Sequence, residues 1–111
     1  MRIAEFQRAC RRTMKPASKS ELLSHALEGL IGEVGEIADT IKRYKRYGQA
    51  LDIDNIREEI GDVSYYLSML ADATSSSLEL AMADNVSKLA KRYPNGYTDE
   101  HAKLRLDKGD E

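Results

Sequence analysis

The sequence has no tryptophan, one cysteine and two prolines among its 111 residues. The single cysteine, Cys10, excludes an internal disulfide, and we interpret it as a small apolar helix residue rather than as a nucleophile. No apolar run is long enough to cross a bilayer, and the first residues lack the apolar segment of a signal peptide. We therefore expect a cytoplasmic protein without a membrane partner.

Charge of neither sign is in large excess, since 17 Lys and Arg stand against 19 Asp and Glu and the formal net charge is −2. No global basic field therefore favours a nucleic-acid polymer as a partner. A hydrophobic fraction of 41% with 32% charged residues is typical of a globular chain rich in amphipathic helix, and excludes a disordered one. A chain of this length fits one domain with a modest core, which a subunit partner would help to cover.

Apolar residues recur every three or four positions, and this periodicity predicts the fold. Helices are expected near residues 3–14, 20–47, 53–74 and 77–92. The clearest apolar seam lies in the second helix and comprises Leu23, Leu27, Leu30, Val34, Ile37, Ile41 and Tyr44. No stretch of period two indicates a strand, and short links favour antiparallel neighbours. We expect an all-α, four-helix bundle-like domain over residues 1–97, and a charged, flexible tail over residues 98–111.

Local signals predict where the middle helices begin and end. Ser18 and Glu21 have the spacing of a capping box, so the second helix should start there. It should end near Gly48, after a cluster of cations that suits the helix dipole. Asp52 or Asp54 should cap the third helix.

Two short segments share the pattern acid, aliphatic residue, glycine, acid, aliphatic residue. They span residues 33–37 and 59–63, and their acids are Glu33, Glu36, Glu59 and Asp62. The acids of each pair are three positions apart, so they lie on one side of a helix. Each acid directly precedes a seam residue, so the carboxylates border the seam. Packing of the two helices seam to seam would bring all four into one cleft.

Four carboxylates do not gather in one cleft without a counter-charge. Unit charges about 5 Å apart repel by roughly 3 kcal/mol per pair at an effective dielectric near 20, so a cation or bound protons are needed. Oxygen ligands suit Mg²⁺ or Mn²⁺ rather than zinc. Mg²⁺ held by carboxylates usually completes its shell with water and substrate phosphates, which favours a phosphate ester or anhydride as substrate. Helix glycines at 29, 32, 35 and 61 further indicate that a neighbouring chain or ligand comes close.

Two other interpretations of the acids can be weighed. Charged residues beside a seam are often solvated flanks, but here the pair occurs twice with an embedded glycine, and no Lys or Arg lies between Leu22 and Ile41. A di-iron carboxylate bundle needs a His three positions after a Glu on two helices, and neither His25 nor His101 occupies such a position.

These motifs resemble the MazG-like nucleotide pyrophosphohydrolase family. Its pattern of Glu-x-x-Glu, a spacer and Glu-x-x-Asp matches Glu33, Glu36, Glu59 and Asp62. Four further segments are similar to those of the family: Phe6-Gln7, residues 29–33, residues 59–67 and residues 85–97. In the last of these, Asn85 is followed by Lys88, Arg92 and Tyr93-Pro94. The resemblance covers residues 3 to 97, most of the chain.

The resemblance implies hydrolysis of a nucleoside triphosphate to a monophosphate and pyrophosphate, in clean-up of the nucleotide pool. It also implies a homodimer or dimer of dimers with sites near the subunit interface. The four acids would hold Mg²⁺, with Mn²⁺ as an alternative. Some relatives carry another acid, a candidate base, at the position that is Gly32 here. Either Glu36 serves as the base as well as a ligand, or metal-bound water ionises without a protein base. The candidate substrate contacts are Tyr66, Asn85, Lys88 and Tyr93.

Each of those substrate contacts also has a structural interpretation. A helical tyrosine is more often a core or interface residue, and Asn85 equally fits a polar residue that fixes helix register. For the whole chain, the alternatives are a catalytically weak module that binds a nucleotide or scaffolds a partner, and a pure dimerisation bundle. A scaffold needs no converging carboxylates, and a dimerisation bundle leaves the helix glycines unexplained. The sequence selects neither a base nor a sugar.

Overall fold

The computed structural model describes residues 1–109, and these form helices joined by short links. The elements are α1 (Ile3–Arg11), α2 (Lys19–Tyr47), α3 (Ile53–Ala73), α4 (Leu78–Arg92), α5 (Asp99–Leu104) and a 3-10 turn, Leu106–Lys108. In this described range no strand is formed, and β pairing is limited to a bridge between Pro94 and Gly96. No helix within residues 1–109 has the length and apolar character to span a membrane. The predicted all-α fold is confirmed.

Side-chain caps set the bounds of α2 and α3. Ser18 Oγ accepts a hydrogen bond from Glu21 N at 3.2 Å, and Asp52 Oδ1 accepts one from Asn55 N at 3.1 Å. Gly48 ends α2 with a φ of 67°, a left-handed conformation that glycine adopts without steric cost. Each side-chain cap typically contributes about 1 kcal/mol. The sequence therefore located both ends of α2, and Asp52 is the cap of α3.

The first helix and the tail differ from the expected bounds. α1 ends at Arg11, because Thr13 turns the chain there: its backbone N and its Oγ1 both donate to the Cys10 carbonyl, at 3.0 and 2.8 Å. The expected flexible tail contains α5, where the cap Thr98 accepts a hydrogen bond from His101 N at 3.0 Å. Flexibility of this segment stays a prediction, and residues 110 and 111 lie outside the described part of the chain.

α2 and α3 pack as an antiparallel hairpin. Near the connection, Asn55 Nδ2 donates to Thr40 Oγ1 at 2.7 Å. At the far end, Lys19 Nζ donates to Ser75 Oγ at 2.6 Å. Residue numbers therefore increase along α2 in the direction in which they decrease along α3. This antiparallel packing places the two acid pairs opposite each other.

α1 is fastened to α3 by a buried polar network centred on Gln7, which is 6% exposed. Its Nε2 donates to Asp72 Oδ1 at 2.7 Å and to the Ser76 carbonyl at 3.1 Å, and its Oε1 accepts from Leu78 N at 2.9 Å. The Arg11 guanidinium makes two hydrogen bonds of 2.8 Å to Asp72 and holds the pKa of that carboxyl below its usual range. The side-chain amide of Gln7 therefore forms hydrogen bonds with α3, with the link that follows it and with the first residue of α4.

The chain forms two compact units, Met1–Leu78 and the part from Glu79 onward. The first unit contains α1 to α3. In the second, Arg92 Nη2 donates to the Ala102 carbonyl at 3.4 Å, and the rings of Tyr93 and Tyr97 lie 5.4 Å apart. The single domain expected over residues 1–97 stays a prediction.

The buried apolar core is small. It comprises Cys10, Ala26, Met69, Ala71, Ala73 and Leu78. The predicted seam of α2 divides, because Leu30 and Ile37 are half-buried whereas Leu27 and Val34 are 59% and 54% exposed. The surface of α2 that packs on α3 is therefore not centred on the predicted apolar seam. It is displaced around the helix toward the side that carries the acids.

Candidate functional site

Three carboxylates converge where α2 packs on α3. One ligand oxygen from each of Glu33, Glu59 and Asp62 lies within 4.8 Å of the others. Glu59 is only 5% exposed, and Glu33 and Asp62 are half-buried. Glu59 and Asp62 are one helical turn apart on α3, and Glu33 faces them from α2. We call these three residues the acid cluster.

Glu36, the fourth predicted acid, lies at the edge of this cluster rather than within it. Its carboxylate interacts with Glu59, yet its side chain is exposed and the group of three does not include it. Helical spacing from Glu33 places it one turn further along α2. Glu36 is therefore open both to solvent and to the cluster.

A hydrogen bond between carboxyl groups and burial dominate the electrostatics of the cluster. A hydrogen bond with Glu33, burial, and the nearby Glu36 together raise the pKa of Glu59 to about 8. A hydrogen bond between two carboxyl groups requires a proton on one of them. Oε2 of Glu33 and Oε2 of Glu59 are also buried without a hydrogen-bond donor among the described residues. A buried carboxylate oxygen without a donor is costly, so the cluster needs a proton or a cation.

The donor set fits a hard divalent cation. Every candidate ligand is a carboxylate oxygen, and Glu33 and Glu59 each have a buried oxygen without a protein donor within the described range. Mg²⁺ and Mn²⁺ take oxygen ligands of this kind. Glu33, Glu59 and Asp62 are therefore able to hold such an ion in place of the shared proton.

Aromatic rings lie beside the cluster, toward the N-terminal end of α2. The Tyr66 ring is 5.8 Å from the His25 ring and 5.2 Å from the Tyr65 ring, edge-on to both. Gly29 admits Tyr66, because a Cβ at that position would overlap the ring. Burial, with a further contribution from Glu33, raises the pKa of Tyr66, so its hydroxyl keeps a proton to donate.

A polar groove lies beside the cluster in the opposite direction along α2. It has a volume of about 490 Å³ and is lined by Gly32, Gly35, Glu36, Asp39, Thr40, Arg43 and Asn55. The hydroxyl of Thr40, a residue 3% exposed, accepts the hydrogen bond from Asn55. Arg43 Nη2 lies 3.5 Å from Asp39 Oδ2 and 3.4 Å from Thr40 Oγ1.

The sequence interpretation did not select Thr40, Arg43 or Asn55 as site residues. A usable signal was the spacing, since Thr40 and Arg43 follow Glu36 by four and seven positions and so share its helix face. At Gly29 the close neighbour is the Tyr66 side chain of α3. At Gly32, Gly35 and Gly61 the approach of a neighbour's backbone or a ligand stays a prediction. A Cβ on Gly32, Gly35 or Gly61 would meet no atom of the described chain within 4 Å.

The remaining predicted substrate contacts belong to the second unit. Asn85 and Lys88 are exposed on α4. Tyr93 is half-buried beside Tyr97, with the Arg92 guanidinium 5.2 Å from its ring centre. Their role as substrate contacts stays a prediction.

The raised pKa of Glu59 predicts how the stability of the metal-free protein depends on pH. The folded state keeps a proton up to a pH of about 8, whereas an unfolded glutamate loses it near 4.5. Between these values the folded state binds more protons, so the free energy of unfolding falls as pH rises.

Denaturant unfolding in EDTA from pH 4.5 to 9 should show this fall in the free energy of unfolding for the parent protein. The fall should be smaller for Glu59→Gln and unchanged for Glu58→Gln, whose side chain is exposed. Equal pH dependence in the parent and Glu59→Gln would contradict the shared proton.

The family model of the MazG nucleotide pyrophosphohydrolase domain matches residues 23–97. No curated protein and no solved structure matches the chain. The matched range spans more than half of the sequence and contains all four predicted acids, Tyr66 and the segment from Asn85 to Tyr93. The acid cluster described above is the part of this range where the sequence motif and the geometry coincide. The chain therefore belongs to the MazG nucleotide pyrophosphohydrolase domain family.

Proposed function

We propose that this chain hydrolyses nucleoside triphosphates to nucleoside monophosphate and pyrophosphate, using Mg²⁺ or, as a substitute, Mn²⁺. Membership in the family supplies the general activity, nucleotide pyrophosphohydrolysis. The observation that carries the metal and the phosphate substrate is the convergence of Glu33, Glu59 and Asp62 within 4.8 Å, with buried oxygens that lack donors among the described residues. Clean-up of the nucleotide pool is the role such an activity would serve.

The ligands in this proposal are Glu33, Glu59 and Asp62, with Glu36 completing the set from its exposed position. A divalent ion held by these residues would supply positive charge where negative charge develops on the phosphate oxygens in the transition state. Burial of Glu59 keeps competing water away from the inner side of the cluster. The two acids on α3 stay one turn apart because the helix fixes their spacing.

Glu36 is the best-placed candidate for the general base. It is exposed to solvent and lies beside Glu59, so it can reach a water molecule approaching the cluster from outside. In this proposal Glu36 takes the proton of the attacking water as the new P–O bond forms and pyrophosphate leaves. In this proposal the Tyr66 hydroxyl donates to a phosphate oxygen and its ring contacts the base, because Tyr66 lies one turn after Asp62 on α3 and packs beside His25.

The uncovered face of α2 supports a homodimer or a dimer of dimers. Ile31 is 66% exposed. It lines an apolar groove together with Leu30, Val34, Gly35 and Ala38. An apolar surface of this kind is stabilised by a partner that excludes water from it. We propose that this partner is a second copy of the chain.

The enzymatic proposal predicts pyrophosphate release from at least one member of a panel of nucleoside triphosphates when Mg²⁺ is present. Glu36→Gln and Asp62→Asn keep the shape of the side chain and remove its charge. Each should lower turnover by roughly 100-fold or more, because metal charge stabilisation is worth several kcal/mol in the transition state and each ~1.4 kcal/mol is tenfold in rate. The thermal stability of both metal-free variants should equal or exceed that of the parent, because repulsion is relieved.

The matched control for these variants is Glu58→Gln, which removes the same charge from the exposed residue next to Glu59. It should hydrolyse the best substrate at the parental rate. Near-parental rates in Glu36→Gln and Asp62→Asn, or an equal loss in Glu58→Gln, would show that the acids do not form the metal site.

The assembly proposal predicts that sedimentation at micromolar concentration gives a mass at least twice the 12.5 kDa of one chain. Ile31→Asp places a charge on the uncovered face of α2 and should shift the protein toward the monomer. Leu106→Asp, on an exposed residue outside residues 23–97, should leave the mass unchanged. A parent that sediments only as a monomer would contradict the dimer.

A further inference from the structure

We infer that the polar groove beside the acid cluster binds the terminal phosphates of the nucleotide, and that Arg43 is the residue that contacts them. This inference rests on the proposed function, since it assigns an orientation to the same substrate. It also adds a substrate-binding residue on α2, outside the acid pairs.

The order of side chains along α2 matches the order of groups in a nucleoside triphosphate. His25 and Gly29, with Tyr66 packed on them, precede Glu33. Arg43 follows Glu36 by seven positions, which is about 10 Å of helix axis. A nucleoside triphosphate has an aromatic base at one end, phosphates at the other and the α–β linkage between them. The acid cluster thus lies between an aromatic end and a cationic end.

The lining of the groove favours phosphate over base. Among the described residues that line it, Arg43 is the cation and Glu36 and Asp39 are the acids, and none is aromatic. A base in the groove would therefore have no ring on which to stack, whereas Tyr66 and His25 offer rings on the other side of the cluster. Phosphate oxygens, in contrast, pair well with a planar guanidinium, which binds them through two parallel hydrogen bonds.

The contacts of Arg43 leave most of its donors available. Its hydrogen bond to Thr40 Oγ1 is 3.4 Å long, and its ion pair with Asp39 is 3.5 Å long with both side chains about half exposed, at 47% and 60%. An exposed pair of this geometry contributes little energy, and a guanidinium has five N–H donors. Helical side chains also lean toward the N-terminus of their helix, so Arg43 leans toward Glu36 and the cluster.

The floor of the groove is fixed by the hairpin. Thr40 is 3% exposed, and its hydroxyl accepts the 2.7 Å hydrogen bond from Asn55. This bond ties α2 to α3 one turn beyond Glu36, so the backbone that carries Arg43 is held at a set distance from the acids. A groove of about 490 Å³ leaves room for two phosphate groups with water.

The test is the affinity of Arg43→Gln for inorganic pyrophosphate with Mg²⁺, measured by titration calorimetry beside the KM for the best nucleoside triphosphate. Loss of charge-assisted hydrogen bonds should weaken pyrophosphate binding by about 10-fold or more and raise KM similarly. Affinity for the nucleoside monophosphate and for the metal alone should stay near parental, because neither contacts Arg43. Arg46→Gln is the matched control: it removes the same charge from an exposed residue of α2 that does not line the groove, and pyrophosphate binding should be unchanged.

Asp39→Asn gives an independent check, because it frees Arg43 from its ion pair. Pyrophosphate should bind this variant as tightly as the parent or more tightly. Parental pyrophosphate affinity in Arg43→Gln would overturn the inference, and so would a variant that loses the monophosphate instead, since the nucleoside would then occupy the groove. These outcomes differ from a failure of the proposed function, in which the parent itself would hydrolyse no nucleoside triphosphate.

Discussion

Glu33 and Glu59 meet between α2 and α3, where one carboxylate oxygen of each is buried without a donor among the described residues. Two carboxylates cannot both be ionised there without a counter-charge, so the site holds a shared proton or a cation.

Contacts on both sides of the acids maintain their positions in the hairpin. Toward the N-terminal end of α2, the Tyr66 ring packs over Gly29, and toward the other end Asn55 is hydrogen-bonded to Thr40. Both contacts join α2 to α3. They fix the distance between these two helices on either side of the acids. In the proposed hydrolysis, a preorganised set of oxygen ligands would hold a divalent ion, whose charge would stabilise the transition state.

The sequence predicts the helices, the caps at Ser18 and Asp52, and three of the converging acids, because each of these depends on short-range spacing. It could not predict that Glu36 stays outside the cluster, since a small rotation of α2 decides which side chains face α3. For the same reason the exposed seam residues Leu27 and Val34 could not be separated from the half-buried ones. The bond between Thr40 and Asn55 joins positions 15 residues apart, and only the packed hairpin brings them together.

In the proposed reaction, these acids direct water to the α–β linkage of a nucleoside triphosphate. Phosphorus NMR of a reaction with Mg²⁺ and the best substrate of the panel identifies the products directly, because pyrophosphate and inorganic phosphate give separate signals. The account predicts equal amounts of nucleoside monophosphate and pyrophosphate, with no nucleoside diphosphate at any time. Release of inorganic phosphate with a nucleoside diphosphate, or no turnover of any nucleoside triphosphate, would contradict it.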